Sequence, residues 1–124
     1  MYFLDTSAIL DLVYGNENGA KIRIIIANNK VATSVFSIYE ISKKIKEKEL
    51  VILAELFSIL KLVEFDKESA FRSAVIEKEL TKEGKMINLI DIFIASICKT
   101  NNFIMLTSDK DFKKIKGLKI NLIS

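Results

Sequence analysis

Four carboxylates fall where an apolar run hands over to a helix, or on the helix that follows: Asp5 in FLDTS, Glu40 in SVFSIYEI, Asp91 in INLIDIFIAS and Asp109 in LTSDKDF. Oxygen ligands of this kind suit a hard divalent cation such as Mg²⁺ or Mn²⁺, whereas zinc favours His and Cys. The chain contains no His and one Cys. Ser-His-Asp and Cys-His catalysis and the usual zinc sites are thereby excluded. Neither GxGxxG nor GxxxxGKS/T can be built from the four glycines, so no nucleotide cofactor is expected through those motifs.

Each acid also has a local structural reading. Asp5 closes an apolar run and precedes Thr6 and Ser7, which places it at the carboxyl end of a first strand, the edge where open α/β sheets bind ligands. Thr6 or Ser7 can then cap the next helix and leave Asp5 free. Asp91 is the most isolated charge in the chain, flanked by Leu89, Ile90, Ile92, Phe93 and Ile94. A carboxylate in such surroundings needs a cation, several donors or a shifted pKa. Asn88 three residues earlier offers an N-cap, which turns Asp91 toward the amino end of that helix. Asp109 and Asp111 follow FIMLT and stand in a cap-rich turn that also reads as a simple helix start. Glu40 points away from the stripe of Ile38, Ile41 and Ile45, so periodicity turns it to solvent, and only Phe36, one turn earlier, hints that this face is covered.

The elements that must position these residues alternate. The apolar runs YFL, VAT, LVEF, FIML and LKINLI read as strands, with longer helical segments between them. That order predicts a three-layer α/β/α domain around a mostly parallel sheet of about five strands. The spacing predicts an amphipathic helix from Ser34 to Lys48. It predicts a second helix from Asp66 to Lys82, with an Asp cap, then Ala70, Phe71, Ala74 and Val75 set against a charged exterior, ended by Gly84. A third, apolar on nearly every face and therefore central, is predicted from Asn88 to Thr100. YGNENG at 14–19 reads as a loop. Lys43, Lys44, Lys46, Lys110, Lys113 and Lys114 are candidates for phosphate contact or for solvated helix faces.

With 124 residues, half of them hydrophobic, one domain spanning 1–124 is expected. A net charge of +3, spread rather than massed, permits a polyanionic partner without requiring one. Met1 leads straight into a strand-like run, and no apolar stretch is long enough to span a bilayer, so a cytoplasmic location is expected. Cys98, embedded in IASIC, reads as a buried small residue with no chemical role.

In the order and context of its four acids, the chain resembles the PIN-domain nucleases over nearly its whole length, most closely the VapC-like toxins of prokaryotic toxin–antitoxin pairs. The opening strand ending Asp5-Thr6-Ser7, the S-x-x-E-like FSIYEI, LIDIFIAS and the closing LTSDKDF carry the resemblance. It implies a Mg²⁺- or Mn²⁺-dependent endoribonuclease whose catalytic, metal-holding cluster is Asp5, Glu40, Asp91 and an acid of the last motif. Asp109 is favoured for that place, with Asp111 beside it. Thr6 and Thr107 match positions that support the site by hydrogen bonding. The resemblance further implies an RNA substrate, an antitoxin partner and a homodimer. No Pro precedes the third motif, where relatives often carry one. Carboxylate-held metal lowers the pKa of a bound water and stabilises the leaving oxygen, so no His base is required. The other readings are a PIN domain that processes RNA without a toxin role, and a receiver-like phospho-acceptor module, which would want an acidic pair where the chain shows only Asp5. A haloacid dehalogenase-type phosphatase would need a second Asp where Ser7 stands.

Overall fold

The computed structural model describes residues 1–124. Strand β1 (Tyr2–Leu4) is followed by α1 (Thr6–Tyr14) and α2 (Glu17–Ile26), then β2 (Val31–Ser34), α3 (Val35–Lys44), α4 (Leu50–Ile59) and β3 (Lys61–Val63). The second half runs α5 (Lys67–Glu83), α6 (Leu89–Thr100), β4 (Ile104–Thr107) and β5 (Ile120–Leu122). Short 3₁₀ turns at Glu47–Glu49 and Lys110–Lys114 complete the chain. All five strands pair in parallel in the order β3-β2-β1-β4-β5. The receiver-type order is 2-1-3-4-5, so this topology removes the receiver reading.

The edge strands β3 and β5 are only partly covered, while parallel strands packed by helices on both faces read as short continuous apolar runs, as β1, β2 and β4 do. Their side chains alternate between two cores. Phe3, Ala32 and Met105 face α5 and α6, in a cluster with Ile76, Leu80, Ile92 and Ile97. Leu4, Val31 and Leu106 face α1, α2 and α3, in a cluster with Ile9, Ile22 and Ile41. The result is the predicted three-layer sandwich. No helix is long and apolar enough to cross a membrane.

From β1 the chain builds outward to β2 and β3 on one side, then returns to place β4 and β5 on the other. The order therefore reverses between β1 and β4. Loops leaving the carboxyl ends of these two strands diverge and open a crevice. Asp5 follows β1, and Asp109 follows β4 by two residues.

Three local expectations need correction. The helix expected to reach Lys48 stops at Lys44, where Ile45 turns extended (φ −80°, ψ 154°) and packs into the α1-side core. The lysine- and glutamate-rich run after it offers no further apolar stripe to hold a helix. YGNENG is not an open loop: Gly15 ends α1 in the left-handed conformation (φ 66°), and Asn16 caps α2 through the Gly19 N–H. Gly19 is required there, because a Cβ would lie 2.2 Å from the backbone oxygen of Asp11. Helix α5 keeps its predicted caps, but Ala70, Phe71, Ala74 and Val75 face outward, Phe71 with 68% exposed. Its inner face is Ser69, Ser73, Ile76 and Leu80. Small serines let α5 approach α6 closely, and the Ser73 hydroxyl is satisfied by the Ser69 carbonyl (2.8 Å) and by Ser96 Oγ (2.7 Å).

Candidate active site

Asp5 is held by both strands that flank the crevice. It is the N-cap of α1, accepting from the Ala8 N–H at 2.9 Å through Oδ1. The capping and chemical readings of this residue therefore coincide. The expectation that Thr6 or Ser7 would cap in its place is corrected. Thr107, the last residue of β4, donates its hydroxyl to Asp5 Oδ2 at 2.7 Å, and Ser7 donates to the same carboxylate at 2.9 Å. The Ser7 oxygen in turn accepts from the Ser108 N–H (3.1 Å), and that of Thr107 from the Asp109 N–H (2.9 Å). Two hydroxyls thus lace the end of β1 to the end of β4. Sequence reasoning had given Ser7 no part in the site; its place one residue beyond a strand-end Asp-Thr was the available signal.

Glu40 does not face solvent. It is half-buried, and its Oε1 accepts the Thr6 hydroxyl at 2.6 Å, with Ser37 Oγ 3.2 Å from the same hydroxyl. Periodicity missed this because the cover comes from α1, across 34 residues of sequence. Asp91 lies half-buried in the first turn of α6, whose N-cap is Asn88, accepting from the Ile90 N–H at 2.8 Å. Asp109 caps the last 3₁₀ turn through the Asp111 N–H (2.9 Å).

These four acids share one pocket of about 230 Å³, lined also by Thr6, Ser7, Leu10, Lys44 and Asn88. Asp111 does not line it; its carboxylate pairs with Lys114 at 3.1 Å. Of the candidate lysines, only Lys44 reaches the pocket wall. Three larger, mainly apolar cavities lie elsewhere, two along α2 and α4 and one between α5 and α6, and bring no such cluster of acids together.

The electrostatics follow from the crowding. Burial, with 2% of the residue exposed, pushes Asp5 up to about 6, helped by the charge of Asp109 and opposed by the hydrogen bonds from Thr107, Ala8 and Ser7. Asp91 is pushed up to about 7, first by desolvation and then by the charges of Glu40, Asp109, Asp5 and Asp111. Ionising Asp5 and Asp91 in these surroundings is eased by a cation. The donor set, oxygen only and free of His and Cys, fits a hard divalent ion. The side chains surround the pocket without three of them meeting at one metal-ligating point. Cys98 is buried, its thiol pushed up to about 12 by desolvation, in keeping with an inert core residue.

Comparison with known proteins places the chain. Residues 2–118 match the family pattern described as PIN domain. The chain belongs to the PIN-domain family. Within it, this PIN-domain protein is 33% identical over 95 residues to ribonuclease VapC3 of Methanocaldococcus jannaschii, an alignment covering 76% of the chain and 94% of the relative. It is 19% identical over 124 residues to the tRNA(fMet)-specific endonuclease VapC of Shigella flexneri, covering 95% of the chain and 94% of that protein. Its fold superposes on VapBC2 from Rickettsia felis, solved bound to a promoter DNA fragment, with a TM-score of 0.85 and 25% identity over 99% of this chain and 98% of that one. The DNA-bound VapBC of Salmonella typhimurium shares the fold with a TM-score of 0.83 at 20% identity, over 97% and 96% of the two chains. This PIN domain is thus a VapC-group protein, related to named ribonucleases.

Proposed function

We propose that this chain is a Mg²⁺- or Mn²⁺-dependent endoribonuclease and the toxin of a toxin–antitoxin pair. The observation that carries the reading is the convergence of Asp5, Glu40, Asp91 and Asp109, from four separate parts of the chain, on one polar pocket at the switch point of the sheet. Relatives named as ribonucleases supply the reaction class.

Asp5, Glu40, Asp91 and Asp109 would hold the ion between them, part of them through bound water, since no three of their carboxylates meet at one point. When bound, the ion supplies an activated water and charge stabilisation at the leaving oxygen. The chain's own groups do the positioning. Thr107 and Ser7 fix the Asp5 carboxylate and, through the Asp109 and Ser108 N–H groups, the loop that carries Asp109. Thr6 fixes Glu40. Asn88 caps α6, whose amino end favours negative charge at Asp91. Asp111, paired with Lys114, stands outside the set.

The partner is proposed to be an antitoxin, as in the VapBC complexes of similar fold. Support comes from an apolar surface on α2 and α4, where Ile24, Leu50, Val51, Ile52 and Ile59 are exposed. Cavities of about 600 and 410 Å³ there share Ile26 and Ile59 in their walls, a groove suited to an amphipathic antitoxin segment. The family resemblance supports a homodimer. Purified protein should cleave RNA with added Mg²⁺ or Mn²⁺ and lose that activity with chelator; cleavage indifferent to metal would contradict the reading. Expression of the chain alone should arrest growth, relieved by the product of an adjacent small gene. Cleavage without arrest would favour RNA processing.

A further inference from the structure

The pocket is a poor receptor for an RNA phosphate in one respect: four carboxylates line it. A phosphodiester entering it meets like charge, and bound metal offsets that only at the atoms it touches. A fixed cation is needed at the mouth. Lys44 is the single cation in the lining, in the last turn of α3, one turn beyond Glu40. It makes no ion pair with any carboxylate. Its neighbours on the surface are otherwise engaged or elsewhere: Lys43 sits over the Tyr39 ring at 4.6 Å, Lys114 pairs with Asp111, and Lys46, Lys110 and Lys113 do not reach the pocket. From α6, across the pocket, Asn88 spends its side-chain oxygen on the Ile90 N–H and keeps its amide NH₂ free.

We propose that Lys44, with the Asn88 amide, grips a backbone phosphate of the RNA at the pocket mouth and so sets the strand's register over the acids. This rests on the nuclease reading. An ammonium on a flexible stem suits a phosphate that must be gripped without base preference.

The test uses bulk transfer RNA as probe, with Mg²⁺ present. Lys44→Ala should raise KM about tenfold, the worth of one charge-assisted contact, with kcat changed less than about twofold. Binding measured in an Asp91→Asn background should weaken in parallel, with a salt dependence shallower by about 0.7 to 1 in the log–log slope. Lys44→Arg should restore most of both, and Asn88→Asp should weaken binding further than Asn88→Ser. Lys43→Ala, which removes a cation of equal charge that lies over the Tyr39 ring and does not line the pocket, should change neither KM nor slope. Equal effects of Lys43→Ala and Lys44→Ala, or an unchanged slope in Lys44→Ala, would overturn the proposal while wild-type cleavage left the nuclease reading intact. Lys44-dependent binding without any wild-type cleavage would support the phosphate contact and overturn the nuclease reading.

Discussion

Asp5 does two jobs with one carboxylate: it ends the helix dipole of α1 as its cap and presents the rest of its lone pairs to the pocket. Asp91 has less hydrogen-bond support and feels the charges of Glu40, Asp109, Asp5 and Asp111, so its charge is the one a cation most relieves. Asp91→Asn should lower RNA cleavage by about a thousandfold, the rate equivalent of roughly 4 kcal/mol of lost transition-state stabilisation. Asp109→Asn should be comparably damaging and Asp111→Asn should cost less than about threefold, a comparison that decides the fourth acid by kinetics. The raised carboxyls also predict a pH dependence. Folded Asp5 and Asp91 hold protons up to about 6 and 7, against 3.8 as the ordinary value, so between roughly pH 4 and 7 the folded state binds more protons than the unfolded one. Their contribution to stability is therefore present at the acid end of that window and lost as pH rises through it. The urea midpoint should be higher at pH 5.5 than at pH 7.5, and Asp91→Asn should shrink the difference; an unchanged difference would show that the burden lies elsewhere. Of the pocket's acids, Asp5 and Asp91 could be read from strand-end position and local apolar context, whereas Asp109 shares its reading with a helix cap and with Asp111. Glu40 could not, because the hydroxyl that it accepts comes from Thr6 on α1 rather than from its own helix.

At the scale of elements, the sequence is most legible where burial on both faces of a sheet forces continuous apolar runs, as in β1, β2 and β4; the edge strands β3 and β5 show as apolar runs although they are only partly covered. Caps were equally plain: Asp66 and Gly84 bound α5 because an N-cap acceptor and a left-handed glycine are local demands. What failed was decided by packing partners. The inner face of α5 is chosen by serines that match Ser96 on α6, a complementarity no single-helix periodicity can display. The compact joint at Gly15 and Asn16 is chosen by the close crossing of α1 and α2 at Gly19. Gly19→Ala should thus cost about 1–3 kcal/mol in urea unfolding, since the new Cβ meets backbone rather than a movable side chain. The apolar surface of α2 and α4 makes its own prediction. Ile52→Asp, exposed and therefore tolerated by the fold, should weaken the antitoxin complex at least tenfold in calorimetry and leave RNA cleavage unchanged.

At the scale of the whole molecule, one parallel sheet with its order reversing between β1 and β4 gathers acids from the beginning, middle and end of the chain into a single pocket. Two hydroxyls lock that gathering by tying β1 to β4, and the Asp5 carboxylate at their junction is buried. A divalent ion should then stabilise the entire fold. At ten times its dissociation constant and pH 7.5, it should add about 1.4 kcal/mol, seen as a rise in melting temperature that Asp91→Asn abolishes. The central claim is that these four carboxylates form a metal-dependent nuclease centre. Cleavage of RNA by wild type and Asp91→Asn, each with Mn²⁺ or with EDTA, tests it most directly. The account predicts cleavage by wild type with Mn²⁺ alone. Equal cleavage by the variant, or by wild type in EDTA, would contradict it.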